Sequence, residues 1–149
     1  MADGYIYFYW LKEGFVFKPE FDFKLNFEMQ IIWRMLMQEI IKFDLVNKNL
    51  IIKVNSDIDH HVAMKIKDKL EREFKLLSWV NIVFDLQNVN FMDSSGIGMI
   101  IGRYKELEKI GDKVYIINLN PNLNSIIEVS GLKKIINFSD SLDSILKSH

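Results

Sequence analysis

Hydrophobic and polar positions settle into a regular rhythm from Gln38 onwards. Ile40 to Val46 and Leu50 to Val54 are β-rich runs separated by the turn residues Asn47, Lys48 and Asn49, which predicts a hairpin. Asp59 is suited to cap a helix in which Ala63, Ile66, Leu70, Phe74 and Leu77 recur at three- and four-residue spacing with Lys and Glu on the other face. Ile82 to Leu86 is a short, mostly apolar run bounded by Asn81 and Asn88, as expected of a central strand buried on both faces. A second helix follows, with Ile97, Ile100, Ile101, Tyr104, Leu107 and Ile110 as one apolar stripe ending at Gly111. Val114 to Leu119 predicts a strand, and Pro121 opens a helix carrying Leu123, Ile126 and Ile127 that Gly131 stops. Leu132 to Phe138 holds a short strand or turn. Leu142, Ile145 and Leu146 give a last amphipathic helix, with Asp140 as its expected cap. Strands alternating with helices imply parallel pairing, and the opening hairpin adds an antiparallel edge. The fold class is therefore α/β, a mixed and mostly parallel sheet with about four helices.

The first part of the chain has a different character. More than half of the Phe, Trp and Tyr residues lie in Met1 to Leu36, including the dense run Tyr5 to Trp10 and the evenly spaced Phe15, Phe17, Phe21 and Phe23, which suit one face of a strand. A boundary near Met37 divides an aromatic-rich extension, 1–36, from a regular domain, 37–149. Translation is expected to begin at Met35 or Met37, with the extension a mis-set start; the intact mass of the native protein tests this, and a native chain beginning at Met1 or Ala2 contradicts it.

Composition narrows the chemistry. The chain has 149 residues, 49% hydrophobic and 26% charged, the range of one globular domain. Its net charge of −1, with acids and bases interspersed, offers no basic stripe for nucleic acid or anionic lipid. The absence of cysteine excludes a disulfide framework, thiolate metal ligation and a cysteine nucleophile, and fits a reducing, cytoplasmic setting. There is no uninterrupted apolar run of about 18 residues, and Met1 to Gly14 lacks a basic leader region, so neither export nor membrane insertion is expected.

Chemistry concentrates in Phe91-Met92-Asp93-Ser94-Ser95-Gly96, where a central strand's carboxyl end passes into a helix. Backbone N–H groups at such an end are unpaired, and a phosphoryl group on Ser94, bringing roughly −1.5 to −2 charges, would lie at the helix's positive end. Asp93 carries like charge beside it, so a phosphate would make the surface markedly more negative and repel a partner fitted to the free hydroxyl. From position alone, Asp93, Ser94 and Ser95 all equally suit an ordinary N-terminal cap. At about 100° per residue, Ser94, Gly98 and Gly102 line one shoulder of the helix. Each mid-helix glycine costs about 0.5 to 1 kcal/mol relative to alanine, so either tight packing within the domain or close approach by a partner explains them.

Two catalytic alternatives fare worse. A serine hydrolase would pair Ser94 with His60 or His61, but the Gly-x-Ser-x-Gly elbow is missing and the histidines sit at the start of another helix with no evident orienting geometry. Asp57, Asp59, His60 and His61 are candidate metal ligands, yet adjacent histidines at a helix start diverge by about 100° and converge poorly on one ion. Neither a metal nor a cofactor is expected.

The segment Phe91 to Gly98, followed by Gly102-Arg103-Tyr104-Lys105, resembles the STAS-domain anti-sigma factor antagonists, in particular those of the sporulation sigma F type. The resemblance extends to Asp57-Ile58-Asp59-His60-His61 and to Ser130-Gly131-Leu132-Lys133-Lys134-Ile135-Ile136, and covers roughly Met37 to His149. It departs where many members have glycine and this chain has Ser56, and the family's domain lacks 1–36. The resemblance implies a STAS fold and a non-enzymatic switch. Ser94 would be the phosphoacceptor, with Asp59, Asp93, Ser95, Gly98, Gly102 and Arg103 at the partner surface. The unphosphorylated form would bind an anti-sigma factor with serine kinase activity and release the sigma factor; phosphorylation would end that contact and a serine phosphatase restore it. An antagonist of a general-stress pathway using the same switch is the nearest alternative.

Overall fold

Asn47 and Lys48 have φ of 46° and 63°, the left-handed conformation that a two-residue hairpin turn needs to match the twist of its strands. They join β1 (Ile41–Val46) to β2 (Asn49–Val54), which pair antiparallel with Val46 opposite Asn49. Asn49, read from the sequence as a turn residue, is instead the first residue of β2. Its amide donates to the carbonyls of Val46 and Asn47, and its Oδ1 accepts from Asn81 at 3.1 Å, so a turn-forming side chain is tied into the sheet.

The computed structural model describes residues 27–32, 35, 40–74 and 81–147. The chain divides into two units, Met1–Met35 and Leu36–His149, and residues 27–32 of the first are helical. The aromatic runs at 5–10 and 15–23, Leu77 and Met37 lie outside the described residues.

After the hairpin come α1 (His60–Phe74), β3 (Asn81–Asp85), α2 (Ser94–Glu108), β4 (Val114–Ile117), α3 (Pro121–Val129), a 3-10 turn (Leu132–Lys134), β5 (Asn137–Ser139) and α4 (Leu142–Leu146). The five strands lie in the order β1-β2-β3-β4-β5, with every pairing after the hairpin parallel. Each new strand is added on the same side of the last, and crossover connections keep one hand. The three crossover helices must then fall on one face of the sheet. The core agrees: Leu50, Ile52, Val54, Ile82, Phe84, Val114 and Ile116 pack with Ala63, Ile66 and Leu70 of α1, Met99, Ile100 and Leu107 of α2, and Leu123 and Ile127 of α3. Alternate strand residues, Ile51, Val83 and Ile117, point to the opposite face and meet Ile145 of α4. β3 is covered on both sides, as its apolar run predicts.

Two local expectations need correction. Ser141, not Asp140, caps α4: its backbone is extended and its hydroxyl accepts from the Ser144 amide. In α2 the buried positions are Gly96, Met99, Ile100, Arg103 and Leu107, whereas Ile97, Ile101 and Tyr104 are half-buried and Ile110 is exposed. The face turned to the sheet is thus rotated from the predicted stripe. Hydrophobicity alone cannot register Gly96, which is buried for its lack of a side chain, or Arg103, whose long apolar stem packs inward.

Gly96 sets how closely α2 approaches Ile58 and Met92, which lie in the loops past the carboxyl ends of β2 and β3. A Cβ there would lie 2.5 Å from Met92 Cγ and 2.8 Å from Ile58 Cγ2, and overpacking of that kind costs about 1–3 kcal/mol. Gly96→Ala should therefore lower the free energy of unfolding by about 1–2 kcal/mol despite alanine's better helix propensity, measured by urea denaturation with an unchanged m-value. Unchanged or increased stability would show that Met92 and Ile58 move aside freely.

Candidate functional site

Two loops leave the carboxyl ends of β2 and β3 and are stitched together. Ile58 and Met92 form an isolated parallel bridge, with Ile58 N–H donating to the Phe91 carbonyl at 3.0 Å and Asp93 N–H to the Ile58 carbonyl at 3.1 Å. Both bridge side chains are buried. The bridge brings together the starts of the two helices that follow, α1 and α2, and each start is held by an aspartate. Asp59 Oδ1 accepts from the Val62 amide at 2.9 Å, as expected of a cap. Asp93 Oδ1 accepts from the amides of Ser95 and Gly96 at 2.8 and 3.1 Å. Both carboxylates also complement the positive end of their helix.

This division of labour separates the three residues that the sequence leaves equivalent. Asp93 is the cap. Ser95 Oγ lies 3.1 Å from His60 Nδ1, a link from the start of α2 to the start of α1. Ser94, between them, is exposed at the first position of the helix, and its hydroxyl makes no hydrogen bond among the described residues. A serine in this position is open to an incoming group, and the near histidine, His60, is engaged with Ser95 instead. His60 is thus paired with Ser95 and not with Ser94, the serine that the hydrolase reading would use. Among the described residues no three His, Cys, Asp or Glu side chains gather to hold a metal ion.

Beyond Ser94 the surface is bare. A Cβ built on Gly98 or Gly102 would meet nothing within 4 Å, so neither glycine is kept to let α2 pack within its own domain. Arg103 does not belong to this open strip. It is 7% exposed, with its guanidinium 2.9 Å from Glu106 and 3.9 Å from Glu71 of α1, and its Nε has no hydrogen-bond partner among the described residues. It fixes the relation of α2 to α1 rather than facing outward. Tyr104 donates its hydroxyl to Glu108 at 2.8 Å, and that bond pushes the phenol pKa up. Lys65, on α1, has its ammonium pKa lowered by partial burial, an effect that the charge of Asp59 opposes.

Asparagines and Asp57 complete the loop layer; sequence reasoning weighed Asp57 as a metal ligand and as part of a family-like loop, and did not foresee these ties. Asn88 donates to Asn55 at 2.8 Å, while Asn120 reaches both the Gln87 carbonyl and Asn90, and Asn122 also reaches Asn90. Asp57 Oδ1 accepts from the amides of Asn90 and Phe91 at 2.9 and 3.0 Å. The available signal was the crowding of asparagines at the ends of successive strands. Ser56, where many family members have glycine, causes no strain: among the described residues the non-glycine positions with positive φ are Asn47, Lys48 and Asn118.

Residues 41–145 match the family model described as the STAS domain. Among known relatives, the anti-sigma F factor antagonist of Paenibacillus polymyxa is 33% identical over 62% of this chain and 79% of its own length. The anti-sigma-B factor antagonist of Listeria monocytogenes is 32% identical over 57% of this chain and 74% of its own. Among solved structures, that of the Bacillus cell fate determinant SpoIIAA in its phosphorylated form superposes with a TM-score of 0.58 at 24% identity, covering 73% of this chain and 99% of that one. With the family model spanning residues 41–145 and a relative 33% identical over 79% of its own length, the chain belongs to the STAS-domain family of anti-sigma factor antagonists.

Proposed function

We propose that this protein is a cytoplasmic, phosphorylation-controlled switch in which Ser94 is the phosphoacceptor. The observation that carries the reading is the contrast at the start of α2. Asp93 does the capping and Ser95 is tied to His60, which leaves the Ser94 hydroxyl exposed and uncommitted beside a strip without side chains. In the unphosphorylated state this surface binds an anti-sigma factor, which then releases its sigma factor. Phosphoryl transfer needs a metal-bound nucleotide and a base to orient the hydroxyl. The anti-sigma factor, as a serine kinase, supplies these, and a serine phosphatase reverses the reaction. The protein is a substrate rather than a catalyst.

Within the contact, Gly98 and Gly102 admit the partner's backbone closely and Asp59 offers an exposed carboxylate at the neighbouring helix start. Asp93 and Ser95 hold the acceptor's geometry, and Arg103 acts through the seating of α2 on α1. A phosphate on Ser94 adds roughly −1.5 to −2 charges next to Asp93, which disfavours any partner surface matched to the neutral hydroxyl. The sporulation sigma F pathway is favoured by Gly102-Arg103-Tyr104-Lys105 and by the Paenibacillus relative. The Listeria relative supports a second reading, in which the same switch serves a general-stress sigma factor.

Incubation with the anti-sigma kinase and ATP should place one phosphate on the peptide containing Ser94, and Ser94→Ala should abolish it. Phosphate on Ser95, or incorporation that survives Ser94→Ala, would overturn the assignment. In direct binding, Ser94→Ala should hold the anti-sigma factor as the wild type does, and Ser94→Asp should weaken the complex about tenfold or more; equal affinity of the three proteins would remove Ser94 from the interface. Gly98 separates contact from stability. Gly98→Ala should raise the free energy of unfolding by about 0.5–1 kcal/mol, because nothing crowds the added methyl, whereas Gly98→Leu should keep the fold and weaken the complex. Full affinity in Gly98→Leu would show that the strip is not contacted.

A further inference from the structure

The geometry points to Asp57 as the positioning residue of the switch, a role resting on the reading of Ser94 as phosphoacceptor. Asp57 is exposed and caps neither helix, yet one of its carboxylate oxygens takes two backbone N–H groups from a segment more than thirty residues away, Asn90 at 2.9 Å and Phe91 at 3.0 Å. Those amides open the stretch that leads through Met92 and Asp93 to Ser94. Every other tie on that stretch is already made by something else. The Phe91 carbonyl accepts from Ile58, the Asp93 amide donates to Ile58, and the Asn90 side chain receives Asn120 and Asn122. Asp57 therefore supplies the anchor for the amide side of the segment, and no backbone acceptor replaces it among the described residues.

Phe91 shows what the anchor achieves. Its N–H and C=O are both bonded, while its ring remains 51% exposed, although a large apolar side chain three residues from the acceptor would gain from burial. A backbone fixed on both sides cannot turn the ring inward without breaking those bonds. Asp57 thus holds Phe91 and Ser94 outward together, in a fixed relation to the bare strip at Gly98. A segment freed from this anchor would occupy the presented geometry for a smaller fraction of the time, and apparent affinity falls by that fraction.

The test uses the full chain with two substitutions. Asp57→Ala removes the acceptor. Asp57→Asn keeps an oxygen that can take both amides while removing the charge. In Asp57→Ala, hydrogen exchange at the amides of Asn90 and Phe91 should quicken about tenfold, the scale of one lost hydrogen-bonding acceptor. The anti-sigma kinase should phosphorylate the variant with an apparent KM raised about fivefold to tenfold and an unchanged kcat, and the thermal midpoint should stay near the wild-type value. Asp57→Asn should restore both exchange and KM. Wild-type exchange and KM in Asp57→Ala would overturn the inference. So would an Asp57→Asn variant as impaired as Asp57→Ala, because charge rather than acceptor geometry would then be responsible. If the wild type itself takes no phosphate from the kinase, the functional reading fails instead, and unaltered exchange in Asp57→Ala would separately show that the anchor is idle.

Discussion

Between Ile58 and Met92 the backbones of two loops hydrogen-bond as neighbouring strands would, just past the point where β2 and β3 separate. Everything at the site is measured from this short bridge. Asp59 and Asp93 stand one residue beyond its two halves, so each emerges ready to cap a helix, and the two helix starts come close enough for His60 to meet Ser95. Gly96 lets α2 settle onto the buried side chains of the same two bridge residues. The sheet supplies the parallel strand ends, one-handed crossovers place α1 and α2 on the same face, and the bridge converts that arrangement into a fixed relation between loops.

Much of this was legible in the chain. Alternating and helical periodicities give the hairpin, the central strand and the order of elements, because burial on one or two faces writes itself directly into spacing. Asp59 as a cap was legible for the same local reason. The phase of α2 was not: its buried face includes Gly96, chosen for absence of atoms, and Arg103, whose charge hides an apolar stem. Nor did sequence distinguish Asp93, Ser94 and Ser95, since all three residue types suit a cap and only the bridge decides which one takes the role. Ser141 displaced Asp140 at α4 for a similar reason, adjacent candidates being separated by backbone geometry alone. Asp57 and the asparagine ties escaped because they join loops some thirty residues apart, which no periodicity records.

Under the function proposed for Ser94, the same arrangement would make a switch that needs little movement. With Asp93 occupying the two amides it caps, a phosphate on Ser94 is not drawn inward to replace a missing cap. It adds charge to an already acidic helix start, on a surface whose neighbouring residues have no side chains to cover it. Binding to a neutral, closely fitted partner is sensitive to such a change through repulsion and desolvation, and the fold beneath is left alone. Relatives are named for both sigma F and sigma B, in keeping with one proposed device that could serve either pathway.

The most direct measurement is the affinity of the anti-sigma factor for two preparations of this protein, one unmodified and one carrying a single phosphate on Ser94, compared by calorimetric titration under the same salt conditions. Tight binding of the unmodified form and a loss of about tenfold or more on phosphorylation are expected, with both preparations equally folded. Equal affinities in the two states would contradict it.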